Sequence, residues 1–159
     1  MLLTIRPAER QDYPGICQLF TAGDAFHASA LPDRFRSMRP ARSEVFFTDV
    51  LTSTEHHLFV AEIEQRLVGL IEFRVIAVAD HPPVVARRFV AIGSLIVTEG
   101  YQRRGMGRRL MHAVAQWSAD HAIATIERNV YAFNHPAIRL YEELGYRVLS
   151  QRIEKKLDW

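Results

Sequence analysis

The spacing of apolar residues changes along the chain, and each change predicts an element. Residues 3–6 read as a short first strand. Ile16, Leu19, Phe20, Gly23 and Phe26 then recur at helical spacing, which predicts a helix to about residue 28, opened by Pro14 in its first turn after Asp12. Residues 30–42, rich in proline and arginine, read as a loop, and residues 43–51 as a second, short helix. Strands are expected over residues 58–63, 67–79 and 89–98, with a turn at Gln65 and Arg66 and a break at Pro82 and Pro83. The run 89–98 is almost continuously apolar, as in a strand buried on both faces. A loop follows over residues 99–107, then an amphipathic helix over 106–121 with Leu110, Val114 and Trp117 on one stripe. Another strand is expected over 124–130. The next helix would be capped by Asn134 or His135, carry Pro136 in its first turn and stop at Gly145. Residues 146–150 and 152–157 read as final strands. Consecutive strands followed by strand–helix alternation predict an α/β fold, a mixed sheet with helices on both faces.

Length and charge narrow the classes. A chain of 159 residues is expected to form a single domain, residues 1–159, with a core large enough to need no staples. No apolar run approaches the roughly 18–20 residues of a membrane helix. No basic stretch leads into a long apolar run at the start, so no signal peptide is expected. Cys17 is the single cysteine, which excludes an internal disulfide and a CxxC metal motif. A cytoplasmic location is the default expectation. The seven histidines form no HExxH and no zinc-like cluster, so no metal is expected. Lys+Arg number 20 against 18 Asp+Glu, a balance unlike that of a nucleic-acid binder. The only lysines are Lys155 and Lys156, and four arginines crowd into seven residues: Arg103, Arg104, Arg108 and Arg109. Such a cluster is a solvated helix face or, because guanidinium forks suit phosphate oxygens, an anion site.

Sequence around the cluster favours the anion site. Leu95, Ile96 and Val97 end a buried strand, Gln102–Arg103–Arg104–Gly105–Met106–Gly107 form a glycine loop, and a helix begins there. Helix N-termini present amide hydrogens without intrahelical partners, with partial positive charge from the dipole. Gly105 and Gly107 remove side chains that would hold a phosphate away. A diphosphate is the natural ligand. The loop lacks the lysine and Ser/Thr of a P-loop, and Leu110 stands where a dinucleotide fingerprint needs its third glycine. It does match [Q/R]xxGx[G/A].

With that loop, the buried strand before it and the segment Asn134-His-Pro-Ala137-Ile-Arg-Leu-Tyr141-Glu-Glu-Leu-Gly145-Tyr146, the chain resembles the GNAT superfamily of acyl-CoA N-acyltransferases. The likeness covers about residues 58–145, while the first 57 residues match in element order only. It implies a mostly antiparallel central sheet splayed between the fourth and fifth strands, and transfer of an acetyl group from acetyl-CoA directly to a primary amine. By the same resemblance Gln102, Arg103, Arg104, Gly105, Met106, Gly107 and Arg108 bind the CoA pyrophosphate, largely through backbone amides. Leu95, Ile96 and Val97 pair with the pantetheine arm.

Asn134 matches a residue that contacts that arm or the substrate side; its alternative is a helix cap alone. Tyr141 matches a tyrosine that protonates the departing thiolate; its alternative is a core aromatic. Deprotonating an amine of pKa near 10.4 at pH 7 costs about 4–5 kcal/mol, so a base is expected. Some members carry a glutamate at the position of Ala91, so this chain departs from them. Glu72, an acid within the apolar run Leu70-Ile71-Glu72-Phe73, is the first substitute unless it faces solvent. Glu99 reads as loop charge, and Ser94 beside Gly93 as a bulge or a relay member.

The family's acceptor site falls here on residues 22–42 and 79–88. Tyr13, Phe26, His27 and Phe35 are candidates to line it, and Arg34, Arg36, Arg39 and Arg42 suggest an acidic acceptor. The amine is a small molecule's or a protein's; neither nucleic acid nor membrane is an expected partner, and a homodimer is compatible with the sequence. A non-catalytic acyl-CoA-binding module is the alternative reading.

Overall fold

Strand residues alternate between two faces, and here both faces are apolar, so the sheet must be covered on both sides. The computed structural model describes residues 2–159, and the chain divides between Asn129 and Val130 into two compact units. The first contains β1 (Leu3–Pro7), α1 (Tyr13–Ala30), α2 (Glu44–Thr52), β2 (His56–Ile63), β3 (Arg66–Val78), β4 (Arg87–Val97), α3 (Met106–Asp120) and β5 (Ile126–Arg128). The five strands lie in chain order. Successive pairs from β1 to β4 are antiparallel, while β4 and β5, joined through α3, are parallel. The expected mixed, mostly antiparallel sheet is therefore the observed one.

On one face, Leu58, Val60 and Leu70 pack with Ile16, Leu19 and Phe20 of α1 and with Phe47 and Val50 of α2. Leu70 and Val60 are fully buried, as is Phe20. α1 comes so close to β4 that a Cβ on Gly23 would lie 2.7 Å from Ile96 Cδ1. α2 starts at Ser43, whose hydroxyl oxygen accepts from the Phe46 amide at 3.1 Å, and so satisfies one orphan donor of the first turn. On the other face Leu110 of α3 lies over Gly69, and Phe73, Phe59, His57 and Trp117 form an aromatic cluster. β1 is tied to the start of α1 by Arg6, which donates to Asp12 and Glu62 at 2.7 and 2.5 Å. Burial pushes the Asp12 carboxyl up, but the Arg6 guanidinium and the Glu9 amide outweigh it and hold it below the usual range.

The second unit, Val130–Trp159, contains α4 (His135–Glu143), capped by Asn134, whose Oδ1 accepts from the Ala137 amide at 3.3 Å. α4 gives way to Gly145 at φ +86°, the left-handed position expected of it. Two strand expectations fail. Residues 146–159 form neither helix nor strand, so the strands expected over 146–150 and 152–157 are absent. Alternation specifies two faces but not a partner, and without a ladder an apolar–polar run is not a strand. The strand expected over 124–130 shrinks to Ile126–Arg128, because only Val90–Ile92 of β4 pair with it.

His57 gives the fold a pH dependence. Burial lowers its pKa below the ordinary histidine value, so the folded state favours the neutral ring that stacks on Phe73. Its contribution is fully present above the unfolded value, near 6.5, and is lost as pH falls below it, where the unfolded chain takes up the proton first. Urea unfolding from about pH 8 to about pH 5 is expected to show stability falling in that window, with a shallower fall in His57→Phe.

Candidate active site

The site begins where two strands stop pairing. The β4–β5 ladder ends at Ile92 opposite Arg128, while β4 runs on to Val97 against β3 alone. From Gly93 to Val97 the β5-facing edge of β4 therefore has no strand partner among the described residues. Arg128 occupies the divergence point. Its Nη1 donates to the carbonyl oxygens of Ile92, at 3.2 Å, and of Gly93. Its Nε is buried with no partner among the described residues.

Beyond Val97 the chain makes one 3-10 turn, Glu99–Tyr101, and enters the glycine loop. The Gln102 side chain does not reach outward. Its Nε2 donates to the Val97 carbonyl at 2.9 Å and ties the loop to the end of β4. Arg103 adopts φ +59° and Gly105 φ +77°, so the backbone doubles back before α3. The first helical bond joins the Arg109 amide to the Gly105 carbonyl at 3.0 Å, so the amides ahead of it in the first turn have no acceptor within the helix. Nothing lies within 4 Å of the place where a Cβ on Gly105 would sit. The Met106 side chain is buried, so only its backbone is available to a ligand. Arg103, Arg104 and Arg109 are exposed, with Arg104 over the Tyr101 ring at 5.8 Å. Together these features place open first-turn amides and exposed arginines beside an unpaired strand edge, an arrangement suited to an anion.

Glu72 of β3 faces the α1–α2 side and is 9% exposed. Its Oε1 lies 2.6 Å from His56 Nε2, and its Oε2 accepts from Ser94 Oγ at 3.0 Å. A bulge between Glu72 and Phe73 leaves Gly93 as the extra residue on β4. Phe46 of α2 packs edge-on against the His56 ring at 5.8 Å. Glu72 is thus a buried, oriented carboxylate, and Ser94 is both bulge residue and hydrogen-bond partner. His56 did not emerge from sequence reasoning. Ala91 pairs with Glu127 and Arg74 within the sheet, and Glu99 is exposed in its turn.

Other expectations separate. Phe26, His27 and Phe35 come together, with ring centroids 5.5 and 5.2 Å apart. Tyr13 does not join them. It lies 13 positions, about 20 Å, away along the helix, packs on Phe47 and donates its hydroxyl to the Arg42 carbonyl at 2.7 Å. Arg42 is taken up by Asp24, at 2.8 Å, and by the face of Phe20, so it is not an acceptor-binding cation. In the second unit, Tyr141 is buried and its ring lies 5.7 Å from that of Tyr146. Burial, reinforced by Tyr141, pushes the Tyr146 hydroxyl up to about 12. Asn134 is an N-cap, one of its two expected roles. Among the described residues no group of three or more His, Cys, Asp or Glu is placed to hold a metal, and no helix is long and apolar enough to cross a membrane.

The chain belongs to the acetyltransferase (GNAT) family, whose model matches residues 24–146. An N-alpha-acetyltransferase of Sulfurisphaera tokodaii is 31% identical over 107 residues, 64% of this chain and 63% of that protein. The L-ornithine N5-acetyltransferase NATA1 of Arabidopsis thaliana is 29% identical over 72 residues, 45% of this chain and 32% of that one. The chain therefore spans less than two thirds of either relative. The crystal structure of a mutant of the BH1408 protein from Bacillus halodurans superposes with a TM-score of 0.93 at 28% identity, covering 97% of this chain and 99% of that one.

The Gly105 backbone yields a test. Gly105→Ala meets no atom but must hold φ +77°, and we expect it to lose about 1 kcal/mol in urea unfolding, the cost of an L-residue in the left-handed region.

Proposed function

We propose that this protein transfers the acetyl group of acetyl-CoA to a primary amine of a small molecule or protein. The observation that carries the reading is the unpaired edge of β4, residues 93–97, running directly into the first-turn amides of α3. An extended amide-bearing arm fits a free strand edge, and a diphosphate fits a helix start opened at Gly105. In this reading the backbone of Leu95, Ile96 and Val97 holds the pantetheine arm. The amides of the Gln102–Arg108 segment hold the pyrophosphate, with Arg103, Arg104 and Arg108 adding charge. Gln102 acts by fixing the loop to Val97. The names of both curated relatives point to amine nitrogens as acceptors, which supports an amine here.

Acetyl-CoA supplies an activated acyl carbon with a thiolate leaving group. The amine nitrogen forms the new C–N bond as the C–S bond breaks, so no enzyme nucleophile is needed. The residues have two proton tasks. Glu72 takes a proton from the ammonium, since a hydrogen-bonded carboxylate in a half-enclosed site is a competent acceptor. Tyr141 donates a proton to the departing thiolate, and Asn134 adds to the arm's contacts besides capping its helix. With Arg42 assigned to Asp24, Arg36 and Arg39 are the arginines of this region that the reading assigns to an acidic acceptor.

Thiol release from acetyl-CoA should appear with at least one primary amine in a panel of amino acids, polyamines and peptides. Glu72→Gln should lower kcat/KM by about 10²-fold or more, as expected for loss of a general base. Calorimetric binding of acetyl-CoA without release for any amine would make the chain an acyl-CoA-binding module. Absence of binding would overturn the reading altogether. Acidic acceptors should outperform neutral ones of equal size; equal kcat/KM would remove the arginines from recognition.

A further inference from the structure

Two parts of the chain lack the same thing, a ladder partner. β5 is an edge strand: Ile126–Arg128 pair with β4 on one side, and the other side has no strand partner among the described residues. Residues 146–159 alternate as a strand does and form no ladder. The edge of β5 is a template without a strand, and the tail is a strand without a template.

The tail has two unlike faces. In an extended chain Leu149, Ile153, Leu157 and Trp159 share one face with Gln151 and Lys155, while Arg152, Glu154, Lys156 and Asp158 share the other. That is the pattern of a strand covered on one side only. The cover is missing, since the four apolar residues are 70, 90, 56 and 105% exposed. One exposed leucine means little, but four large apolar side chains aligned within residues 149–159 form a contact surface.

The surroundings of β5 match those two faces. Beside the strand, against the end of α3, lies a shallow hollow of about 480 Å³ whose walls include Ala115, Ala119, Ile123 and Ile126. Ala115 and Ala119 are exposed, and their short side chains keep the hollow open. Ile126 lines it, whereas Glu127, the next residue of β5, turns to the opposite face and pairs with Arg87. A strand added to this edge meets apolar surface on one face and charge on the other.

We propose that residues 149–159 of a second copy add as a strand to the free edge of β5, with Ile153, Leu157 and Trp159 over the hollow. The exchange is reciprocal, so each copy gives one tail and one edge and the pair closes as a two-fold dimer. Backbone pairing supplies the missing ladder to both segments. The four apolar side chains bring on the order of 600 Å² per tail, and with the surface they cover two such contacts exceed the ~1,600 Å² of a standard interface. The occupant is a second copy because the chain's own tail stands open to solvent.

Sedimentation equilibrium of the full chain, without acyl-CoA, tests this across the micromolar range. Wild type should be dimeric. Ile153→Asp and Ala119→Arg each change an exposed residue, and circular dichroism should show both folded. Each should weaken self-association about 10²-fold or more, by placing a charge in the contact or filling the hollow. A chain ended after Gln151, which removes exposed residues only, should also be monomeric. Mixed together, the two point variants should associate more tightly than either alone, because the Ala119→Arg tail still fits the Ile153→Asp hollow. A monomeric wild type overturns the dimer. Loss in Ile153→Asp but not in Ala119→Arg means that tails pair with each other, and overturns β5 as their site. A mixture no tighter than its components overturns the match of tail and hollow. Every one of these results leaves the acetyl-transfer reading standing.

Discussion

The place where β4 leaves β5 is the constraint on which the rest of this structure depends. Three residue pairs of parallel ladder hold the strands together, and past Ile92 and Arg128 the hydrogen bonds cease. An open strand edge leaves amides and carbonyls without ladder partners. Two features relieve the first positions: the bulge redirects β4 at Gly93, and Arg128 donates to the carbonyls of Ile92 and Gly93. The remaining edge stays open toward the loop that starts α3. Strand edge and helix start are different devices, but both expose backbone donors, and here one follows the other along the chain.

Arginine is used throughout, and several of these residues are structural. Arg6 bridges Asp12 and Glu62, Arg42 clamps Asp24 across the Phe20 ring, and Arg87 pairs with Glu127 over Phe89. A planar fork suits each task better than a lysine ammonium would. Against that background the exposed Arg103, Arg104 and Arg109 stand apart, because they flank a backbone that doubles back with two left-handed residues, Arg103 and Gly105. Composition gives both groups the same weight; only their surroundings separate them.

Much of the fold was legible because it rests on local rules. The stripe Leu110, Val114 and Trp117 marks α3, Pro136 and Gly145 bracket α4, and the continuous apolar run marks β4. The glycine loop was legible for the same reason, since its chemistry lies in backbone and spacing. What failed depends on partners. The apolar–polar alternation of residues 146–159 looks like a strand, yet strand formation needs a ladder. Tyr13 and Arg42 are acceptor-site candidates by residue type, but Phe47 and Asp24 claim them in space.

The sequence by itself determined the order of elements as far as α4, the glycine loop before α3 and the presence of one acid in an apolar strand. It did not determine that acid's partner. Counting back from the turn at the β2–β3 hairpin, where Ile63 pairs with Arg66, sets His57 opposite Glu72. A one-residue irregularity between Ala61 and Glu62 shifts the ladder, so Leu58 takes that place and His56 shares its face with Glu72. His57 turns instead to Phe73 and Trp117 on the far side. Side chains alternate with a period of two, so one inserted residue exchanges the faces of everything beyond it. Which of two adjacent histidines meets the carboxylate is therefore decided by the tertiary structure alone.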